Sequence, residues 1–567
     1  MTRAMQTGPW PLVGALIAAV LLAIMATTPP RPVDASAAPG QFSSGRAMAD
    51  VRAVASVPHP TGSSENARVR AHLLARLAAL GLQTSAQTGT LDARGQARLA
   101  HWAGRHGAEE GPAVPLVNLI GVLPGRDRRL PAVMLMAHHD SVWGSPAAAD
   151  DGAGVAATLE VVRALRHGGQ AERDLIVLFT DGEELGLQGA KLFFAAHPLR
   201  TRIGAVVNME ARGGGGRTVL FQTSSRNGAA ARLYAAAVAH PGASSLAIFV
   251  YSVLPNDTDL TPVLKGPYLG YNFAFIGRPG LYHSPLATPE RLDEGSLQDM
   301  GGQVLALTRA LLTAPQLPPA APDVVFFDVF GLLTVVYPTW AGWLVLAAAA
   351  AGLGLVLRRA AMAGAGEGAA RMAGLLIGAG LLLTALNWLS IGSAPVNYYD
   401  RLAAIPRLEA MALAAGLGAF VLAFGARALP AGGQVGAALP LLGLALALQI
   451  AAPTAAYVIA LPLLFTAAAL NLPSAPVRAL LASVTLGYML ALGHQLMQGV
   501  GPTMPAVASL PLAIGALAVL PLWPGLKRSR QAAATVVALA AALSLWVQLD
   551  APAESRAVYS DYANHNK

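Results

Sequence analysis

The chain has 567 residues, 54% hydrophobic and 12% charged, with a formal charge of +8 and no cysteine. That length implies several domains, and a charged share well under the roughly 25% of soluble domains implies surface that does not meet water. The basic residues are scattered and many flank apolar runs, which excludes nucleic acid as the partner. The lack of cysteine excludes disulfides and thiolate ligands, so a zinc site would draw on His, Asp and Glu.

Residues 12–28 are apolar and uncharged, with Arg3 ahead of them. Residues 1–28 read as a signal anchor; the small residues of ATTPPRPVDASA keep a cleaved signal peptide as the rival reading. Either way the segment that follows is exported. Residues 29–45, rich in Pro, Ser, Ala and Gly, read as a linker. From 46 to 315 the pattern is that of an α/β domain. The spacing in 63–82 sets Val69, Leu73, Leu77 and Leu80 on one face with Arg68, Arg70 and Arg76 largely off it, an amphipathic helix that Gly81 ends. Apolar runs at 114–125, 132–137, 174–180, 203–209 and 218–223 read as strands, and 154–168 and 187–197 as helices between them. Short apolar strands alternating with helices predict a mostly parallel central sheet flanked by helices.

Beyond about 324 the chain reads as an all-α, multi-span transmembrane domain (324–549) with a polar tail at 550–567. Eight apolar stretches stand out: 339–357, 373–392, 408–428, 436–451, 454–470, 479–497, 507–523 and 532–549. If the first segment runs inside to outside, the loops expected inside hold Arg358, Arg359, Arg371, Arg427, Arg478, Lys527, Arg528 and Arg530. Those outside hold Arg401 and Arg407. That asymmetry fits the rule that basic loops stay inside. Glu409 and His494 are the polar exceptions within the spans, read as groups at helix ends or in an interhelical hydrogen bond.

Four segments carry groups suited to chemistry. In LMAHHDSVWG (135–144), His138 and Asp140 form a His-x-Asp pair after a strand; an acidic partner of this kind commonly fixes the tautomer of a ligating histidine. In AAADDGAGVAA (147–157), Asp150 and Asp151 open a helix, where one Asp as N-cap is the plain reading and a metal-bridging carboxylate the sharper one. In VLFTDGEELGLQGA (177–190), Glu183 and Glu184 follow a strand, a costly pair unless exposed or metal-bound. In the last set, NMEARGGGG (208–216) and GLYHSPLATPERLD (280–293), Glu210 follows a strand and His283 precedes a helix. Each signal alone also suits a surface turn. Their order, His, Asp, Glu, Glu, His, each at a strand end or helix start of one α/β domain, is the telling feature.

With these strings in hand, together with HPTGSSENARVRAHL (59–73), the chain resembles the co-catalytic zinc exopeptidase family of secreted bacterial aminopeptidases and glutamate carboxypeptidase. Within it, the chain is similar to the membrane-bound branch of endoplasmic reticulum metallopeptidase and vacuolar membrane protease, which FFDVFGLLTVVYP (326–338) also resembles. The resemblance implies two zinc ions per chain: His138 and Glu210 on one, Glu184 and His283 on the other, Asp150 bridging. It implies Glu183 as general base, Asp140 as the group orienting His138, and Tyr282 as an aid to polarising the substrate carbonyl. Relatives often carry Asp four residues after the last histidine; Ala287 stands there, which puts the support of His283 in doubt. The expected function is a membrane-anchored, zinc-dependent exopeptidase of aminopeptidase type, its partners peptide substrates and the lipid bilayer, in a bacterial inner membrane with the catalytic domain facing the periplasm. The rivals are glutaminyl-cyclase-like acyl transfer, which normally uses one zinc, and an inactive membrane scaffold or receptor. End polarity, side-chain preference and oligomeric state are not legible in the sequence.

Overall fold

A computed structural model describes residues 9–102, 113–360, 362–392 and 398–550. The polar tail expected at 550–567 and the basic Arg3 fall almost wholly outside these residues. The described residues divide into two compact units: those within 28–336 together with 398–403, and those within 9–27, 337–392 and 404–550.

The first unit is built on a seven-stranded sheet of β1 (Gln83–Thr90), β2 (Pro115–Leu123), β3 (Ala132–His138), β4 (Leu175–Thr180), β5 (Ile203–Ala211), β6 (Val219–Thr223) and β7 (Leu269–Phe275). Their spatial order is β1-β2-β4-β3-β5-β7-β6. The four central strands, β4, β3, β5 and β7, are parallel. The outer three pair antiparallel, so the sheet is mixed, parallel where it is most buried. Every residue of β3 is buried. Alternation sends Val133, Leu135 and Ala137 to one face, against Val155, Ala156 and Leu159 of the helix Gly152–His167. It sends Met134 and Met136 to the other face, with Ala190 and Phe193 of Gln188–Ala196. This period-2 division is what a strand covered on both faces requires. Each such fully buried Val, Leu, Met or Phe side chain stabilises the unit by about 1.5–3 kcal/mol. A small second sheet pairs β8 (Val324–Asp328) with β9 (Thr334–Pro338).

The second unit is helical. Among the described residues eight helices are long and apolar enough to cross a membrane, from Trp10–Thr27 to Ser529–Leu549, and a ninth, Tyr457–Asn471, is apolar but shorter. The close approach of Trp10–Thr27 to Ala475–Val500 depends on small residues. A Cβ on Gly487 would lie 2.9 Å from Leu22 Cβ and 3.0 Å from the Ala19 carbonyl, the small-residue packing usual between membrane helices. Glu409 accepts a hydrogen bond from Gln498 at 2.7 Å and faces His494 Nδ1 at 3.1 Å. The polar pair expected within the spans is thus an interhelical hydrogen-bonded group.

Candidate metal centre

The central strands run the same way, so their carboxyl ends share one edge, where an open α/β sheet gathers ligand-binding groups. His138 is the last residue of β3, Glu183 and Glu184 follow β4, Glu210 is next to last in β5, and His283 lies in the loop after β7. β4 reaches the glutamates through Asp181-Gly182, where Gly182 has φ +67, a left-handed turn that glycine takes without a Cβ penalty. His283 also adopts a positive φ, +54.

The two histidines meet a shared carboxylate. His138 Nε2 is 3.2 Å from Asp150 Oδ1, and His283 Nε2 is 3.3 Å from Asp150 Oδ2. Each histidine has a second acidic neighbour: Glu210 Oε2 at 3.8 Å from His138 Nε2, and Glu184 Oε1 at 3.1 Å from His283 Nε2. Asn208 donates to Glu210 Oε1 at 3.1 Å, leaving Oε2 for His138. His138, Asp150 and Glu184 each offer a ligand atom within 4.8 Å of the others, and so do His138, Asp151 and Glu210. Asp150 is the better ligand of the two aspartates. Asp151 accepts the N–H of Gly154 at 3.0 Å and of His138 at 3.3 Å, which commits it to capping the helix Gly152–His167. A Cβ on Gly154 would stand 2.3 Å from Asp151 Oδ1, so the cap needs glycine there. The N-cap reading of the Asp-Asp pair applies to Asp151, which leaves Asp150 as the candidate ligand.

Asp140 serves two neighbours. Its carbonyl lies 3.0 Å from His138 Nδ1, its carboxylate at 3.6 Å. The carboxylate accepts the backbone N–H of Glu183 at 3.1 Å and of Glu184 at 3.4 Å, holding the turn that carries both glutamates. His283 Nδ1 is 3.0 Å from the hydroxyl of Tyr399, so the histidine whose support was in doubt has a partner, from far along the chain. Tyr282 stacks on the His283 ring, centroids 3.7 Å apart.

The electrostatics call for a cation. Burial pushes the Glu210 carboxyl up to about 8, with Asp150 and Asp259 adding to the rise against the pull of His138. Burial likewise raises Glu183 well above the usual carboxylate range, with Glu210, Glu184 and Asp259 adding to it. Asp150 goes down to about 2, its own burial outweighed by hydrogen bonds from His138 and His283. Glu184 Oε1 is buried, with His283 Nε2 3.1 Å away. Buried carboxylates packed this densely are costly unless a metal compensates them. The donor set, imidazole and carboxylate only, suits zinc. Asp259, ahead of the helix Leu260–Leu264, was not singled out from the sequence. It is buried, hydrogen-bonded to Thr180, and raised by burial to about 6. Its loop, without an apolar strand before it, carries no signal of that position.

This edge of the sheet lies within residues 118–308, which match the model of Peptidase family M28. The chain is 35% identical over 235 residues to endoplasmic reticulum metallopeptidase 1 of Homo sapiens, a match covering 40% of this chain and 26% of the relative. It is 29% identical over 318 residues to vacuolar membrane protease of Yarrowia lipolytica, covering 52% and 30%. The chain thus matches less than a third of the length of either relative. Among solved structures, the aminopeptidase from Aneurinibacillus sp. strain AM-1 aligns over 50% of this chain and 97% of its own, at 14% identity and a TM-score of 0.38.

Proposed function

We propose that the chain is a membrane-anchored zinc exopeptidase of aminopeptidase type whose site holds two zinc ions. The observation that carries this is the division of Asp150, one carboxylate oxygen toward His138 and the other toward His283, each histidine with its own glutamate. His138 and Glu210 hold one ion, His283 and Glu184 the other, and Asp150 bridges. When bound, the pair of ions supplies Lewis acidity to the scissile carbonyl and acidity to the attacking water. Glu183 takes the proton of that water and passes it to the leaving amine. Asp140 holds Glu183 and Glu184 in register through their backbone N–H groups. In this reading Tyr282, whose ring stacks on His283, donates to the developing oxyanion.

Helices able to span a bilayer and relatives named as membrane or endoplasmic reticulum proteins agree on a membrane protein. Those relatives are eukaryotic and do not support the bacterial inner membrane expected from the sequence; loop charge supports only a catalytic unit on the exported side.

The test is metal analysis of the full chain purified in detergent, with assays on aminoacyl and N-blocked dipeptide substrates. About two zinc per chain and cleavage only with a free amino end are expected. One zinc, unchanged by added zinc, with cyclisation of N-terminal glutamine, would replace this reading.

A further inference from the structure

Tyr399 lies in sequence between two apolar helices, Ala365–Ile391 and Ile405–Phe424, yet its short helix Tyr398–Ala403 belongs to the compact unit that contains the histidine–carboxylate cluster. Its hydroxyl meets His283 Nδ1 at 3.0 Å, and the two ring centroids are 5.6 Å apart. Three further contacts seat the segment. Tyr399 packs against an apolar cluster that includes Leu91, Val142 and Leu185. Arg212, just past the end of β5, donates to the Tyr398 hydroxyl and lies 5.7 Å over that ring. Ala403 backs onto Gly280, where a Cβ would come within 2.8 Å of Ala403 Cα; only a residue without one lets the segment approach so closely. The charge pattern agrees independently. It places the stretch between these helices on the same exported side as residues 30–325.

The chemistry follows from the two nitrogens of His283. Nε2 faces Glu184 and Asp150 at 3.1 and 3.3 Å. A histidine that ligates through Nε2 carries its proton on Nδ1, so Nδ1–H donates and the Tyr399 oxygen accepts. Such an outer partner fixes the tautomer, aims the ring and raises its basicity toward the metal. We propose that Tyr399 is the positioning residue of His283, so that the metal centre is completed by a segment lying between two membrane helices in the sequence. This rests on the reading of His283 as a zinc ligand.

The experiment compares zinc release from the full-length protein in detergent to an excess of chelator for wild type, Tyr399→Phe, Tyr398→Phe and His283→Ala, with a thermal melt of each. Phe keeps the ring and its packing and removes only the acceptor. Tyr399→Phe is expected to melt like wild type and to lose one zinc about 10–100-fold more readily, with Tyr398→Phe close to wild type. If Tyr399→Phe also melts earlier, the comparison with Tyr398→Phe decides. Faster zinc loss than from Tyr398→Phe supports the proposal, and equal loss overturns it. Retention like wild type in Tyr399→Phe, while His283→Ala sheds zinc, overturns the role of Tyr399 alone. Full retention in His283→Ala overturns the ligand reading first and the role of Tyr399 with it.

Discussion

At the scale of the residue, the decisive pair is Glu183 and Glu184. Both backbone N–H groups are held by the Asp140 carboxylate, and neighbouring side chains cannot share one direction. Glu184 reaches His283 at 3.1 Å, and the proposed mechanism gives the proton to Glu183. Glu183→Gln keeps size and hydrogen-bonding capacity but cannot accept that proton. It should retain zinc and fold while lowering kcat by about 10²–10⁴-fold. Glu184→Gln should instead shed zinc, since a neutral amide is a poor ligand. Single-turnover kinetics beside metal analysis separates the two outcomes, and a Glu183→Gln chain with most of its activity would require another base. His138, Asp150, Glu184 and Glu210 lie at or within a few residues of a strand end or helix start, where sequence pattern marks position, whereas His283 lies in the loop after β7 and only the motif around it marked it. Tyr399 and Asp259 were not legible. No local pattern carries a contact between residues more than a hundred positions apart, and a carboxylate in a loop looks like any solvated one until its burial is known.

At the scale of the element, the structure adds a helix at the start of the α/β domain that the sequence reading left unassigned. The helix Ser44–Val54 buries Ala47, Met48, Val51 and Val54 in the core, and Ser43 caps it through the N–H of Arg46. It is tied to the helix Ser64–Ala79 by Asp50, which receives both Arg76 Nε at 2.8 Å and Nη2 at 3.0 Å, and faces His72 Nε2 at 3.1 Å. Burial raises the Asp50 carboxyl, but the His72 and Arg76 hydrogen bonds outweigh it and hold it below its ordinary value. A depressed folded-state pKa contributes stability above the unfolded value, near 4, and loses it as pH falls through the folded value. The tie should therefore weaken only in acid. Asp50→Asn should destabilise the unit by about 1–3 kcal/mol at neutral pH, a lower melting temperature whose gap to wild type closes below pH 4. A gap constant across that range would show that the carboxylate charge contributes nothing. The strands at 132–137, 174–180 and 203–209 were readable because unbroken apolar runs suit a sheet covered on both faces. β1, QTSAQTGT, and β7, LGYNFAF, were not: the first is a polar edge strand, and glycine and asparagine break the run of the second.

At the scale of the whole molecule, the direction of every loop beyond Asn471 turns on one helix. Tyr457–Asn471 has 15 residues, about 22 Å at helical rise, against a hydrocarbon core of about 30 Å. Length alone argues that it does not cross. Two observations argue that it does. Nine of its residues, among them Ile459, Leu463 and Thr466, are buried by neighbouring helices of the same unit, so its ends need not meet lipid unaided. Charge gives the stronger reason. With this helix crossing, Arg358, Arg359, Arg427, Arg478, Lys527, Arg528 and Arg530 all fall inside. Without it, Arg478, Lys527, Arg528 and Arg530 move outside, against the basic-inside rule. We therefore expect the helix to cross, which gives nine passages among the described residues and puts residues 30–325 and the C-terminus on the exported side. A reporter active only outside the cytoplasm should be active when fused after Lys567 and silent when fused after Leu472. A stably expressed fusion after Lys567 that stays silent, paired with an active one after Leu472, would turn Tyr457–Asn471 into a re-entrant segment and reverse every loop beyond it.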